Sequence, residues 1–162
     1  MSTDTTGRRV ADLSALLTHT SHVLATRMTA AFAELGITPR AFCVLHHALE
    51  AERTQIQLAE LSDLDKTTMV VTVDELEGAG LAERRPSSTD RRARIIHVTP
   101  AGEQAVTDGA RIADRVHQDV LDALPADDRA AFVRALSALS EGHLAVPVES
   151  ERPVRRARRA RS

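Results

Sequence analysis

A chain of 162 residues and 17.6 kDa has the size of one domain with at most an extension. Hydrophobic residues at 43% and charged residues at 27% exclude disorder over most of the length, and with only three Phe and neither Trp nor Tyr the core must be built from Leu, Val, Ile and Ala, which favours helices over a β-sandwich. The net charge of −2 hides an asymmetry: residues 151–162 carry six arginines against Glu151, leaving the rest acidic overall, yet Arg84, Arg85, Arg91, Arg92 and Arg94 share an eleven-residue stretch with a single acid, Asp90.

No run of 18 apolar residues exists and the N-terminus MSTDTTGRR lacks the apolar stretch of a signal peptide, so no membrane partner is expected and the chain reads as cytoplasmic. Cys43 is the sole cysteine, which excludes an intrachain disulfide, a four-cysteine zinc site and an iron–sulfur cluster. Neither a nucleophile elbow nor a glycine-rich phosphate loop is present; no enzyme, cofactor or metal is expected.

Apolar residues recur at three- and four-residue steps from Val10 to Leu35, one helical face, which Gly36 stops. Thr38 and Pro39 predict the cap and first residue of a second helix, to about Ala51, with Phe42, Leu45 and Leu49 inward; Cys43 on it reads as a small buried hydrophobe. Thr54 predicts a third helix over Gln55 to Ser62, and Asp65 a fourth over Lys66 to Gly78 with Met69, Val73 and Leu76 inward. Two strands, LAERR and ARIIHVT, flank the turn-rich PSSTDRR and predict a β-hairpin. Thr99 and Pro100 open a long fifth helix to about Ala123, and Pro125 a sixth, with Phe132, Leu136 and Leu139 as its stripe. Residues 1–9 and the arginine-rich 147–162 read as disordered.

Three helices and a hairpin across residues 38–99 make a winged helix-turn-helix, in which a helix enters the major groove of DNA and an arginine-tipped hairpin reaches the minor groove or phosphates. The stretch TQIQLAELSDLDKTTMVVTVDELEGAGLAERRPSSTDRRARIIHVTPAG resembles the MarR family of bacterial transcription regulators, with Asp90-Arg91-Arg92 before the strand IIHVT matching the family's Asp-x-Arg wing signature. The resemblance covers about residues 10–142. It implies a mainly α fold with a two-to-three-stranded wing, the helices of 10–37 and 100–146 serving dimerisation, and a homodimeric repressor of a near-palindromic operator in double-stranded DNA, released by a small aromatic or phenolic ligand. It places Lys66, Thr67, Thr68, Val70, Val71 and Thr72 on or near the DNA-facing side of the fourth helix, with Val70 and Thr72 toward thymine methyls. Arg92 becomes the minor-groove arginine, oriented by Asp90, and Arg84, Arg85, Arg91 and Arg94 become phosphate contacts. The sequence departs from the family in one respect: Val71 to Glu77 offer Asp74, Glu75 and Glu77 and no cation, where many members place a basic residue.

For the effector, the polar residues on otherwise apolar helices are His22, Arg27, His46, His47 and His117, and an anionic ligand suits Arg27 or a protonated histidine. The family's peroxide sensors hold a cysteine where this chain has Ser14, and its zinc sensors pair two histidines four residues apart on the fifth helix, where His117 has only Ala113 and Leu121. Two alternatives stay open: a thiol-based redox regulator through Cys43, and a helical protein-interaction module that does not bind DNA.

Overall fold

The first helix, α1, spans Thr5–Phe32 and tightens into a 3-10 turn at Ala33–Leu35, which Gly36 closes with a positive φ of 65°. Helix α1 begins at Thr5, inside the stretch 1–9 expected to be disordered. The structure is a computed structural model that describes residues 5–148 apart from 89 and 91, with side chains from residue 12 onward. Expectations for Arg91 and for the arginine-rich segment beyond residue 148 lie outside the described residues.

Helix α2 spans Pro39–Glu50, with Thr38 accepting a hydrogen bond from the Ala41 amide at 3.1 Å and Pro39 at a position whose amide would find no helical partner. Helix α3, Gln55–Leu61, starts from a reciprocal cap: the Thr54 amide donates to Gln57 Oε1 at 2.9 Å while Thr54 Oγ1 accepts from the Gln57 amide. Helix α4, Lys66–Gly78, is capped by Asp65, whose Oδ1 accepts from the Thr68 amide at 2.9 Å. Strands β1, Ala82–Pro86, and β2, Arg94–Val98, pair antiparallel with Arg84 opposite Ile96. A single bridge from Thr54 to Ile95, beside the Ile96 amide donating to the Arg53 carbonyl at 3.1 Å, supplies the rudiment of a third strand. Helices α5, Pro100–Asp122, and α6, Ala126–Glu141, complete the order. The fold is mainly α-helical, a winged helix-turn-helix between long flanking helices.

The chain divides into two units after Asp119. In the first, Val44 and Leu45 of α2, Leu58 of α3, Met69, Val73 and Leu76 of α4, and Ile96 of β2 are almost fully buried in one cluster. Each such side chain stabilises by about 1.5–3 kcal/mol relative to exposure, so this cluster fixes where α4 and the hairpin sit. A second cluster joins Phe32 of α1 to Ile112 and Ala113 of α5, with the Phe32 and Phe42 rings 5.1 Å apart. Helix α5 approaches closely through glycine: a Cβ on Gly109 would sit 2.4 Å from the Phe42 ring. Two expected inward residues of α2 differ. Leu49 is 44% exposed and Cys43 is exposed, because α2 is covered on only part of its circumference. In the second unit α6 begins with Asp127 and Asp128 in its first turn, where the helix dipole favours acids, and Arg129 pairs with Asp122 at 2.6 Å. Among the described residues no single helix is long and apolar enough to cross a membrane.

Candidate nucleic-acid interface

On α4 the core takes Met69, Thr72, Val73 and Leu76, a stripe at steps of three, one and three. The opposite side is therefore left open, and there Lys66 and Thr67 are exposed, Val70 is 37% exposed and Val71 50% exposed. Thr72 was expected on the DNA-facing side and is not there: it is 1% exposed, and its hydroxyl donates to the Thr68 carbonyl at 2.8 Å. Its place in the i, i+3, i+4 series with Met69 and Leu76 is the reason. Thr68 is partly buried and its hydroxyl is already engaged, donating to Asp65 Oδ2 at 2.6 Å. That bond and the Thr68 amide hold the Asp65 carboxyl below its ordinary 3.8. The exposed surface of α4 is thus Lys66, Thr67, Val70 and Val71 in its first two turns, a small apolar and hydroxyl patch beside one cation, followed by the exposed acids Asp74 and Glu75.

The wing's arginines divide by their partners. Arg84 points to the same side of β1 as the buried Ala82, toward α4, and its guanidinium pairs with Asp74 at 2.7 Å and with Glu77, while the Arg84 amide donates to Glu77 Oε1 at 2.8 Å. Gln55 Oε1 lies 3.4 Å from Arg84 Nε. Arg84 was expected at a phosphate; its guanidinium is instead paired with two acids of α4, Asp74 and Glu77. Arg85, half-exposed on the other side of the strand, pairs with Glu83. Arg92 and Arg94 are exposed, and neither forms an ion pair with another described residue.

Asp90 bonds to the backbone of the wing turn. Its Oδ1 accepts from the Arg92 amide at 2.9 Å, its carbonyl accepts from the Ala93 amide at 2.9 Å, and the Ala93 carbonyl accepts from Ser87 at 3.0 Å, closing the turn that presents Arg92. One wing residue escaped sequence reading. Glu52, in the connection between α2 and α3, accepts at one oxygen from the Ser87 hydroxyl at 3.2 Å, the Ser88 amide at 3.3 Å and the Ser88 hydroxyl at 2.9 Å. The Ser88 hydroxyl first, then the other donors, hold its carboxyl below the ordinary 4.5. No local pattern links positions 35 residues apart, so nothing in the sequence marked it.

The expected effector residues fall into two sets. His46 and His47 meet at the end of α2 around Glu50, with His47 Nδ1 at 3.3 Å and His46 Nε2 at 3.7 Å, and Arg53 also pairs with Glu50 at 2.9 Å. The Arg53 hydrogen bond, then that of His47, lowers the Glu50 pKa. His46 stacks on Phe42 at 5.9 Å. His22 and Arg27 on α1 and His117 on α5 are exposed and take no part in the Glu50 cluster as described. Cys43 is held by partial desolvation at a pKa above its ordinary 9.0, which keeps it a thiol near neutrality and disfavours thiolate chemistry.

A sequence model of the MarR family matches residues 35–93, the segment that holds α2, α3, α4 and the start of the wing. Among solved structures, the fold is similar to CouR from Rhodococcus jostii RHA1 bound to p-coumaroyl-CoA, at 27% identity over 86% of this chain and 96% of that one, with a TM-score of 0.72. It is similar to a MarR-family transcriptional regulator from Rhodococcus sp. RHA1, at 25% identity, 81% and 94% coverage and a TM-score of 0.71. A MarR family protein from Bacillus stearothermophilus gives 25% identity, 85% and 97% coverage and a TM-score of 0.72.

Proposed function

We propose, from the match of residues 35–93 to the MarR family and the winged helix-turn-helix fold, that the chain is a MarR-type homodimeric repressor that occludes a promoter by binding a near-palindromic operator and lets go when a small organic ligand binds. The observation that carries the reading is the division of α4: its inward stripe anchors it in the core, and Lys66, Thr67, Val70 and Val71 stand clear of its own subunit, as a groove-reading helix requires. Thymine methyls suit Val70 and Val71, and Lys66 suits a phosphate or a guanine edge. Arg92, presented by the Asp90 turn, is the minor-groove arginine, with Arg94 and the half-exposed Arg85 on flanking phosphates.

Two helices support the dimer. On α1, Leu13, Leu16 and Leu17 are 51, 60 and 37% exposed, and on α6, Phe132, Val133, Leu136 and Leu139 lie between 37 and 45% exposed. Apolar stripes of this extent on a single chain are what a second copy covers. Such a dimer places two α4 helices about 34–36 Å apart, one DNA turn, which is the origin of operator symmetry. For the effector, the support is the neighbour that binds p-coumaroyl-CoA; in this chain His22, Arg27, His46, His47 and His117 are the residues assigned to it, and a ligand releases DNA only by binding the two conformations unequally.

A mobility-shift titration of a duplex from the protein's own upstream region, with sedimentation to count protomers, tests the whole reading. A discrete complex containing two protomers, resistant to excess unrelated DNA, is expected. A chain that binds that duplex no better than unrelated DNA overturns it and leaves the protein-interaction module.

A further inference from the structure

We infer that Glu52 is the positioning residue of the wing: its carboxylate clasps Ser87 and Ser88 and thereby sets the pose from which Arg92 and Arg94 reach DNA. This inference rests on the DNA-binding reading above.

Two kinds of bond act on the wing loop. The first kind closes it on itself, through Asp90, Arg92, Ala93 and Ser87. These bonds fix the shape of the turn and leave open its angle to the helix-turn-helix, because every partner belongs to the hairpin. The second kind ties it to the body. At the base, Arg84 joins β1 to Asp74 and Glu77 of α4. Farther along, just before the tip, three donors from Ser87 and Ser88 converge on a single Glu52 oxygen at 2.9–3.3 Å. Glu52 belongs to a connection that is itself pinned, since the neighbouring Arg53 carbonyl accepts from Ile96 and Thr54 bridges Ile95. A two-stranded hairpin is marginal alone, so an anchor near its tip decides how much of the time the arginines hold one pose.

The charge of Glu52 makes the inference sharp, because electrostatics and positioning predict opposite signs. A carboxylate beside a DNA-binding wing repels phosphate, so removing it should tighten binding if charge were all that mattered. If Glu52 positions the wing, losing it weakens binding despite the removed repulsion, and an amide, which keeps an acceptor oxygen without the charge, restores it.

The test uses the full-length chain as wild type, Glu52→Ala and Glu52→Gln, with fluorescence anisotropy of a labelled duplex from the protein's own upstream region across a KCl series. Glu52→Ala is expected to lose about tenfold in affinity, with the slope of log K against log salt flatter by roughly 0.9–1.8, the value for one or two phosphate contacts. Glu52→Gln stays within threefold of wild type with the wild-type slope. Equal or tighter binding by Glu52→Ala with an unchanged slope overturns the inference, and so does an equal loss in both variants. A second readout does not involve DNA: trypsin cleavage after Arg92, followed by mass spectrometry, should be several-fold faster in Glu52→Ala than in wild type or Glu52→Gln. Equal cleavage rates refute the clasp, whereas wild-type protein that fails to bind the duplex while the cleavage difference persists refutes the DNA-binding reading and leaves the clasp standing.

Discussion

Replacing Arg84 with Met separates two descriptions of the same residue. If Arg84 grips a phosphate, the change leaves the fold alone and removes one counterion-releasing contact. If it clamps the wing to α4, the cost falls on stability. The structure allows the second to be sized. The pairs with Asp74 and Glu77 join a side chain that is 30% exposed to partners that are 60% and 31% exposed, so each is screened and contributes on the order of 0.2–1 kcal/mol. Methionine keeps most of the aliphatic stem's packing but gives up the polar contact to Gln55. The sum is about 1–2 kcal/mol, or a fall in Tm of roughly 2–8 °C for a chain of this size. Urea unfolding of wild type, Arg84→Met, Glu77→Gln and the double variant measures it, with an expected coupling of about 0.5–1 kcal/mol between positions 84 and 77. The salt slope of DNA binding should be nearly unchanged. Wild-type stability in Arg84→Met, together with a slope flatter by about 0.9, would refute the clamp and return Arg84 to the phosphate backbone.

On the proposed reading, Arg92→Ala should weaken binding to the upstream duplex by about 1–3 kcal/mol in an anisotropy titration with Tm unchanged, since its side chain is exposed; undiminished affinity would mean that the wing tip does not touch DNA. Thr72→Val, which keeps the shape but deletes the hydroxyl bonded to the Thr68 carbonyl, should leave DNA affinity within twofold and alter stability by at most about 1 kcal/mol, so a large affinity loss would place Thr72 at the interface after all. The carboxyls of Asp65, Glu50 and Glu52 are each held below their ordinary values in the folded chain, so their contributions are complete above those values and fade as pH falls through the lower folded ones. The urea midpoint should therefore decline below about pH 4, and less steeply in Asp65→Asn; a pH-independent midpoint would show that these hydrogen bonds do not form.

Much of this arrangement was written in local pattern. Thr38 before Pro39, Thr54 before Gln57 and Asp65 before an apolar period each mark a helix start through a bond spanning three residues, and the observed starts at Pro39, Gln55 and Lys66 follow them. The burial of Thr72 was legible as well: stepping three and four residues from Met69 and Leu76 reaches it, and only its polarity and the family resemblance argued for the outer face. Alternation along β1 likewise puts Arg84 beside Ala82 and opposite Arg85, so the strand period alone separates an inward arginine from an outward one.

Amino-acid order alone determined the sequence of helices and hairpin, their capped boundaries and the concentration of arginine in the wing, because each of these depends on bonds or periodicities within a few residues. Only the packed chain decided which of those arginines remain available. Ion pairs and hydrogen bonds form between groups that the core brings together, and the core brought Asp74 and Glu77 to Arg84, and Glu52 to Ser87 and Ser88, across separations that no local rule spans. Charge along a chain adds up residue by residue, but the field a partner meets is what remains after those pairs have formed.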